Sequence, residues 1–241
     1  MPFIALPPAA DWTLDANLST SPVGGIRLGI NTAFSDIFTG TTIDTAKWDE
    51  TDSGTNISQN GRIEGKGNNA WDTNELTSDS SFAVVPGLEL HFKITTGVST
   101  GQYIYGLNIG PAYATANQAS LYLVAGGAFQ AFINGTPFST GYNWLVNKTY
   151  NARITYQNPG WKIYVQSPDD ANYSSEVQIY STTTATTGPL YINLNFYSTT
   201  TYYVDDVYVY SGYPTTGVVA ETPWIAIDQS TLDATTPIFQ R

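Results

Sequence analysis

The sequence contains no cysteine and one methionine among its 241 residues. Disulfide bonds and thiolate chemistry are therefore excluded, and burial of apolar side chains must stabilise the fold. Charged residues make up only 12% of the chain, and nine basic residues stand against twenty acidic ones, which gives a formal net charge of −11. Because phosphate backbones and anionic lipids are repelled by such a charge, we expect neither nucleic acid nor membrane as a partner.

Other signals are also missing. His91 is the single histidine, so a Ser-His-Asp triad would have to use it, and its outward position on a predicted strand favours a solvated role. No apolar run approaches ~18 residues, so no membrane span is predicted. Pro2, Pro7 and Pro8 interrupt what would be the apolar core of a signal peptide, and no basic residues precede it. We expect the chain to stay in the cytosol or to leave it within an assembly.

The chain is rich in aromatic residues, at 14%, which favours strands over helices. Apolar and polar side chains alternate along residues 149–166, with a Pro159-Gly160 pair in the middle. This period of two on both sides of a turn predicts a β-hairpin with one apolar face, and Asn158-Pro159-Gly160-Trp161 suits a type II turn. The apolar face requires a second sheet to cover it, so we predict a β-sandwich.

Similar alternation recurs along the chain. It predicts strands at residues 57–64, 88–94, 103–109, 119–124, 128–133, 190–197 and 202–210, with turns at Asn60-Gly61, Gly126-Gly127 and Asn134-Gly135. Residues 65–80 are polar and are interpreted as a loop that carries Trp71. We predict ten to twelve strands in total and no amphipathic helix.

The ends of the chain lack this periodicity and are punctuated by proline. We therefore predict an N-terminal arm over residues 1–30, a β-sandwich over 31–212 and a C-terminal arm over 213–241. Large apolar side chains occur in both arms, and we expect neighbouring subunits to cover them.

Three stretches resemble the start, middle and end of concanavalin A-like or laminin-G-like jelly rolls. They are Phe38-Thr39-Gly40 with Ile43-Asp44 and Lys47-Trp48, the segment Trp161-Lys162-Ile163-Tyr164-Val165, and the segment Val204-Asp205-Asp206-Val207-Tyr208-Val209-Tyr210. The resemblance implies an all-β, antiparallel jelly-roll β-sandwich between extended N- and C-terminal arms. The chain is also similar to bacteriophage virion structural proteins that carry this domain.

The resemblance implies three kinds of site. Glucanases of the superfamily carry Glu-x-Asp-x-x-Glu on one strand, and the nearest approach here is Glu50-Thr51-Asp52, where Thr55 stands in the third acidic place. Related sandwiches hold a structural calcium ion, for which Asp36 and Asp206 are the matching residues; otherwise each aspartate pairs with a basic residue or faces water. No other cofactor is expected.

Carbohydrate is bound by aromatic rings that stack on the sugar beside amide and carboxylate groups. Aromatics at strand spacing also form cores and cross-strand pairs, so both interpretations stay open. The candidate carbohydrate-binding residues are Tyr191, Asn193, Asn195, Tyr197, Trp71, Trp144, Tyr103 and Tyr105.

Our first prediction is a non-enzymatic structural protein of a phage particle, as a capsid decoration or a tail- or fibre-associated protein. It would be assembled in the host cytoplasm, reside in the virion as a homo-oligomer, contact other virion subunits through its arms and bind host-surface glycan. The alternative is a carbohydrate-binding module of a larger secreted protein, or a glycanase. Saturable binding of sugar by the isolated sandwich favours the alternative.

Overall fold

The computed structural model describes residues 31–111 and 115–211, and both predicted arms lie outside them. The described residues form two antiparallel β-sheets, as the alternation predicts, and the compact unit to which they belong spans Ile30–Tyr213. Within this part of the chain, the only helical element is a single turn of 3-10 helix at Ala171–Tyr173. No helix among the described residues is long and apolar enough to cross a membrane.

The first sheet has eight strands, seven in one row and an eighth paired with a strand of that row. In spatial order they are β13 (Val177–Ser181), β12 (Gly160–Gln166), β11 (Thr149–Gln157), β6 (Glu89–Thr95), β15 (Tyr202–Ser211), β4 (Ile63–Gly65) and β3 (Ile57–Gln59), with β1 (Asn31–Asp36) on β15.

The second sheet has seven strands, which brings the number in the described residues to fifteen. In spatial order they are β10 (Thr136–Asn143), β9 (Ala128–Ile133), β8 (Gln118–Val124), β7 (Tyr103–Asn108), β14 (Leu190–Phe196), β5 (Asn74–Phe82) and β2 (Trp48–Asp52). The prediction of ten to twelve strands was too low, since β5 and β10 were among those missed.

The predicted hairpin of residues 149–166 is confirmed, and its turn differs from the prediction. Gln157 pairs with Gly160, so Asn158 and Pro159 are the two central residues. The peptide bond before Pro159 is cis, which is the arrangement of a type VI turn rather than type II. Gly160 begins β12 and does not have a positive φ; a Cβ there would lie 1.8 Å from the carbonyl oxygen of Thr182. Glycine is required by that close approach.

The hydrophobic core lies between the two sheets and is built by alternate residues of the long strands. On β6 these are Leu90, Phe92 and Ile94, which face inward as predicted and are at most 2% exposed. The aromatic side chains are packed edge to face or stacked, as with Tyr103 and Tyr202, whose ring centroids are 3.9 Å apart. Since no disulfide is present, this continuous core supplies the stability of the sandwich.

Candidate functional site

The outer face of the seven-stranded sheet, which points away from the core, carries polar side chains in rows across the strands. Residues paired on neighbouring strands share a face, so the register defines these rows. One row runs through Thr51, Glu75, Asn195, Ile104 and Tyr122. The next row runs through Asp49, Thr77, Asn193, Gly106 and Ser120.

The centre of this face is a cluster of amides and carboxylates. The Asn195 side-chain amide donates to Glu75 Oε2 and to Asp72 Oδ1, both at 2.9 Å. The Asn193 amide donates to the same Glu75 oxygen and to Thr77 Oγ1, both at 3.2 Å. Glu75 is 2% exposed and Asn195 is fully buried, whereas Asp72 is exposed. The two carboxylates therefore share one amide, and Asp72 is the one of the two that solvent can reach.

Burial raises the pKa of Glu75 above its ordinary value, the amide of Asn193 opposes that rise, and the charge of Asp72 adds to it. A carboxylic acid in such an environment keeps its proton to higher pH than an exposed one. Because Oε2 accepts both amides, the proton of a neutral Glu75 resides on Oε1. Asp72 adopts a φ of 60°, a conformation that non-glycine residues rarely take.

An aromatic corner adjoins the cluster. The ring of Trp71 lies 4.7 Å from that of Tyr197 and 6.0 Å from that of Tyr122, centroid to centroid. The preceding loop is fixed to the end of β14, because Asn69 N donates to the Tyr197 carbonyl at 2.8 Å. A Cβ on Gly67 would lie 2.1 Å from that same carbonyl oxygen, so only glycine permits this approach. Trp71 is thus held beside Asp72 in a half-buried position.

A cavity of about 690 Å³ lies on the other side of Thr77, near the β2 edge of the sheet. Among the described residues, its lining includes acidic and hydroxyl-bearing residues and one aromatic residue, and no basic residue. The lining residues are Asp49, Glu50, Thr51, Thr77, Ser78, Asp79, Ile109, Gly110, Pro111 and Tyr191.

The structure separates the predicted carbohydrate-binding residues into two groups. Tyr103, Tyr105 and Trp144 are at most 2% exposed within the core, so their prediction as sugar contacts was wrong. Tyr103 and Tyr105 have the spacing of inward-facing residues on β7, and burial also raises the pKa of Tyr105 well above its usual range. The others lie on or beside the outer face of the seven-stranded sheet, and their role in carbohydrate binding stays a prediction. They are Trp71, Tyr191, Asn193, Asn195 and Tyr197.

The predicted calcium ligands do not fit a metal site. The two oxygens of Asp36 accept from Phe38 N at 2.9 Å and from Trp48 Nε1 at 2.8 Å. Asp206 pairs with Lys93 Nζ at 2.6 Å. Residues 31–111 and 115–211 contain no group of three or more His, Cys, Asp or Glu side chains that could hold a metal ion. These carboxylates instead fix the opening turn of the sandwich and the bulge in β15.

The stretch Glu50-Thr51-Asp52 does not reproduce the catalytic strand of the resemblance. Asp52 accepts the backbone N–H groups of Gly54, Asn56 and Ile57 at 2.7–3.0 Å. Burial alone would raise the pKa of Asp52, but these hydrogen bonds outweigh it and the pKa lies below its usual value. Asp52 is therefore a turn-capping residue at the end of β2.

The sequence analysis missed Glu75 and Asp72 because it placed both in a polar loop. Glu75 lies on β5, a strand whose first five residues are buried on both faces. Since Leu76 is the one apolar residue among those five, the alternation that identifies other strands is absent. The preceding Trp71 in a hydrophilic segment was the available signal.

The fold can now be compared with known proteins. No family model and no curated protein matches the chain. Among solved structures, an endo-acting O-glycanase expressed by human gut microbiota matches with a TM-score of 0.53 at 17% identity, over 74% of this chain and 98% of that one. An uncharacterised protein from Mycobacterium paratuberculosis matches with a TM-score of 0.51 at 14% identity, over 73% and 99%. A xylan β-1,4-xylosidase from Bacillus halodurans matches with a TM-score of 0.50 at 11% identity, over 74% of this chain and 39% of the enzyme.

At these identities the likenesses show the fold, a concanavalin A-like jelly-roll β-sandwich, as the resemblance implied. The first functional prediction is corrected. A non-enzymatic phage structural protein finds no counterpart among these matches, and the two with a described activity are glycosyl hydrolases. The predicted location and the predicted subunit contacts of the arms stay predictions.

Proposed function

We propose that this chain is a glycanase that binds a neutral polysaccharide on the outer face of its seven-stranded sheet, with Glu75 and Asp72 as its carboxylate pair. The observation that carries this proposal is the Asn195 amide, which donates to both carboxylates at 2.9 Å. The glycosyl hydrolases that share the fold support it, although only at the level of architecture.

The separation of the two carboxylates suits glycoside hydrolysis. The N–H bonds of a planar amide diverge by about 120°, so two oxygens bound to one Nδ2 at 2.9 Å lie roughly 5 Å apart. Carboxyl groups at about 5–5.5 Å are typical of glycosidases that retain anomeric configuration, whereas inverting enzymes separate them by about 6.5–9.5 Å.

The environments of the two groups assign their roles. Glu75 is buried and has a raised pKa, so it supplies the proton from Oε1 to the glycosidic oxygen as that bond breaks. Asp72 is exposed and attacks the anomeric carbon to form a glycosyl-enzyme ester. Water then attacks the same carbon, Glu75 takes its proton and Asp72 leaves as a carboxylate. Asn195 keeps the carboxyl groups of Glu75 and Asp72 in position through both steps.

The aromatic corner supplies the binding surface. Trp71 and Tyr197 are half-buried rings beside Asp72, and a sugar that stacks on Trp71 brings its hydroxyls to the neighbouring amides and carboxylates.

Release of reducing sugar from neutral polysaccharides tests this proposal. The full chain is incubated with β-1,3-glucan, β-1,4-glucan, xylan and mucin-type glycans, and we expect turnover on one of them. Glu75→Gln and Asp72→Asn should each lower kcat by about 10²–10⁴-fold, the range of a general acid or nucleophile. Proton NMR of the first product should show retained anomeric configuration.

Glu64→Gln is the matched control, because it neutralises a carboxylate on β4 of the other sheet and should leave turnover unchanged. Undiminished activity in Glu75→Gln would reject the assigned pair. Sugar binding without turnover would reject the hydrolytic step and leave the outer face as a binding surface.

A further inference from the structure

Two buried side-chain oxygens next to Glu75 have no hydrogen-bond partner. They are Oδ1 of Asn193 and Oδ1 of Asn195, whose residues are 1% and 0% exposed, and no described residue donates to either oxygen. A buried acceptor without a donor is costly, and nearly all such atoms in folded proteins are paired. Two of them on neighbouring positions of one strand face therefore indicate a donor that the described residues do not supply.

The direction of both oxygens follows from the nitrogens of the same amides. Asn193 Nδ2 donates to Glu75 Oε2 and to Thr77 Oγ1, which both belong to β5. Asn195 Nδ2 donates to Glu75 Oε2 and to Asp72 Oδ1. An amide carries its oxygen and its nitrogen on opposite sides, so each Oδ1 is turned away from these partners. Turning either amide over would set its oxygen against Glu75 Oε2, which is itself an acceptor.

The strand on the other side of β14 offers the two oxygens no donor. Asn193 is paired with Gly106 of β7, and Asn195 is paired with Ile104 of the same strand. Neither a glycine nor an isoleucine has a polar side chain. The hydroxyl of Ser120, which is paired with Gly106 on the next strand, is not bonded to Asn193 either. The fold therefore leaves two acceptors without a donor on the face that carries Glu75.

A pair of hydroxyl groups on one ligand suits these two acceptors. Asn193 and Asn195 are two residues apart on β14, so their Cα atoms are about 6.6 Å apart. Their nitrogens converge on one oxygen of Glu75, which keeps the two side chains close together. Hydroxyls on neighbouring carbons of a neutral sugar ring are donors of matching closeness, and they bring no charge. Glu75 is 2% exposed, so a sugar that reaches its carboxyl group also reaches these oxygens.

We propose that Asn193 and Asn195 determine the specificity of the proposed glycanase, their Oδ1 atoms accepting hydrogen bonds from two free hydroxyls on neighbouring carbons of the sugar that is cleaved. This inference rests on the proposed function, because the same two amides hold Glu75 beside that sugar. A 1,4-linked chain keeps free hydroxyls on C2 and C3, whereas a 1,3-linked chain uses one of them in its linkage. The substrate class is therefore a neutral 1,4-linked glycan. A sugar that lacks either hydroxyl is rejected, because it leaves a buried acceptor unpaired.

Calorimetric titration of the full chain tests this inference, in the cold so that turnover is slow. The ligands are cellotetraose, laminaritetraose and three forms of cellotetraose that carry fluorine in place of the hydroxyl at position 2, 3 or 6 of every residue. Fluorine has nearly the size of a hydroxyl and cannot donate. We expect fluorination at position 2 or at position 3 to weaken binding about tenfold, the loss of one hydrogen bond, and fluorination at position 6 to weaken it less than about twofold.

Variants at Asn193 connect the effect to its amide oxygen. Asn193→Leu removes the acceptor and should reduce the cost of fluorination at one of the two positions to less than about twofold, whereas Asn193→Asp retains an oxygen and should keep that cost at about tenfold. The ratio is taken within each variant, so a general loss of affinity cancels. Asn151→Leu is the matched control, because it changes an exposed asparagine on β11 of the other sheet, and it should keep the cost at both positions.

Equal binding of cellotetraose and its 2- and 3-fluorinated forms by the wild-type chain would overturn the inference, even where no Asn193 variant folds, and would leave the proposed function standing. An undiminished cost in Asn193→Leu would overturn it as well. Binding of laminaritetraose without binding of cellotetraose would overturn the 1,4-linked substrate class alone. Absence of binding by both unmodified sugars would count against the glycan-directed function itself.

Discussion

Replacing Tyr150 with phenylalanine removes a single hydroxyl that connects three parts of the sandwich. The Tyr150 hydroxyl donates to Asp170 Oδ2 at 2.7 Å and accepts Leu145 N at 2.8 Å. Tyr150 is fully buried and Asp170 is 3% exposed. Burial, followed by the hydrogen bond to Asp170, raises the pKa of Tyr150 far above its usual value. The phenol therefore stays protonated and donates at every physiological pH.

The expected cost follows from these partners. A hydrogen bond to a charged group contributes about 1.5–3 kcal/mol, and the Leu145 N–H adds roughly 0.5–1.5 kcal/mol. Asp170 retains the N–H of Asn172 at 3.0 Å, which limits the loss. We expect Tyr150→Phe to lower the free energy of unfolding by about 2–4 kcal/mol, a shift in Tm of roughly 4–16 °C for a domain of this size.

Urea unfolding followed by tryptophan fluorescence measures this loss. Tyr156→Phe is the control, because it deletes a hydroxyl from the same strand for which the structure shows no hydrogen bond within the described residues, and it should cost less than ~0.5 kcal/mol. A loss below ~1 kcal/mol in Tyr150→Phe, or one equal to that of the control, would refute the reasoning.

Three further predictions concern the candidate site and the hairpin of residues 149–166. The folded-state pKa of Glu75 lies above its ordinary 4.5, so ionisation of Glu75 destabilises the fold as pH rises through that raised pKa. Glu75→Gln should therefore be more stable than wild type at pH 7 but not at pH 4. A difference in urea midpoint between variant and wild type that is the same at both pH values would contradict this. Gly160→Ala should lower the free energy of unfolding by more than ~2 kcal/mol, because the added Cβ would lie 1.8 Å from the Thr182 carbonyl oxygen. Gly54→Ala is the control and should cost less than ~1 kcal/mol, because the nearest atom to its added Cβ is 3.8 Å away. Equal losses in urea unfolding would exclude the contact as the cause. Trp71→Ala should weaken the binding of a neutral glycan by about tenfold in calorimetry, since stacking on the ring contributes roughly 1–1.5 kcal/mol. Leu145→Ala is the control, because it removes an exposed apolar side chain elsewhere, and it should have no effect. Unchanged affinity in Trp71→Ala would remove Trp71 from the site.

The hairpin shows how far a local pattern reaches. The alternation of residues 149–166 predicted both strands and their inward faces, because side-chain direction along a strand follows from the backbone alone. It did not predict the turn, since the requirement for Gly160 comes from Thr182, a residue more than twenty positions away.

The face of a residue and its burial are separate questions. Glu89 is on the same outward face of β6 as His91, yet it is 2% exposed. His91 Nε2 lies 2.8 Å from its carboxylate, and the guanidinium of Arg153 on β11 lies 3.6 Å away. Only the pairing of β11 with β6 brings Arg153 opposite His91, so no local sequence signal could predict that Glu89 is buried.

Part of the candidate site could also be recognised from the sequence. From the sequence came Trp71, Asn193, Asn195, Tyr191 and Tyr197, because amides and aromatics are recognisable by type.

The sequence by itself determined the two-layer antiparallel architecture, since a period of two fixes which side chains leave water. The tertiary structure alone decided that Tyr103, Tyr105 and Trp144 belong to the core and that Glu75 belongs to the site. Both outcomes depend on which strands become neighbours, and β14 meets β5 across more than a hundred residues of chain. Contacts at such separations are set by the packing of the whole sandwich, which no single stretch of sequence encodes.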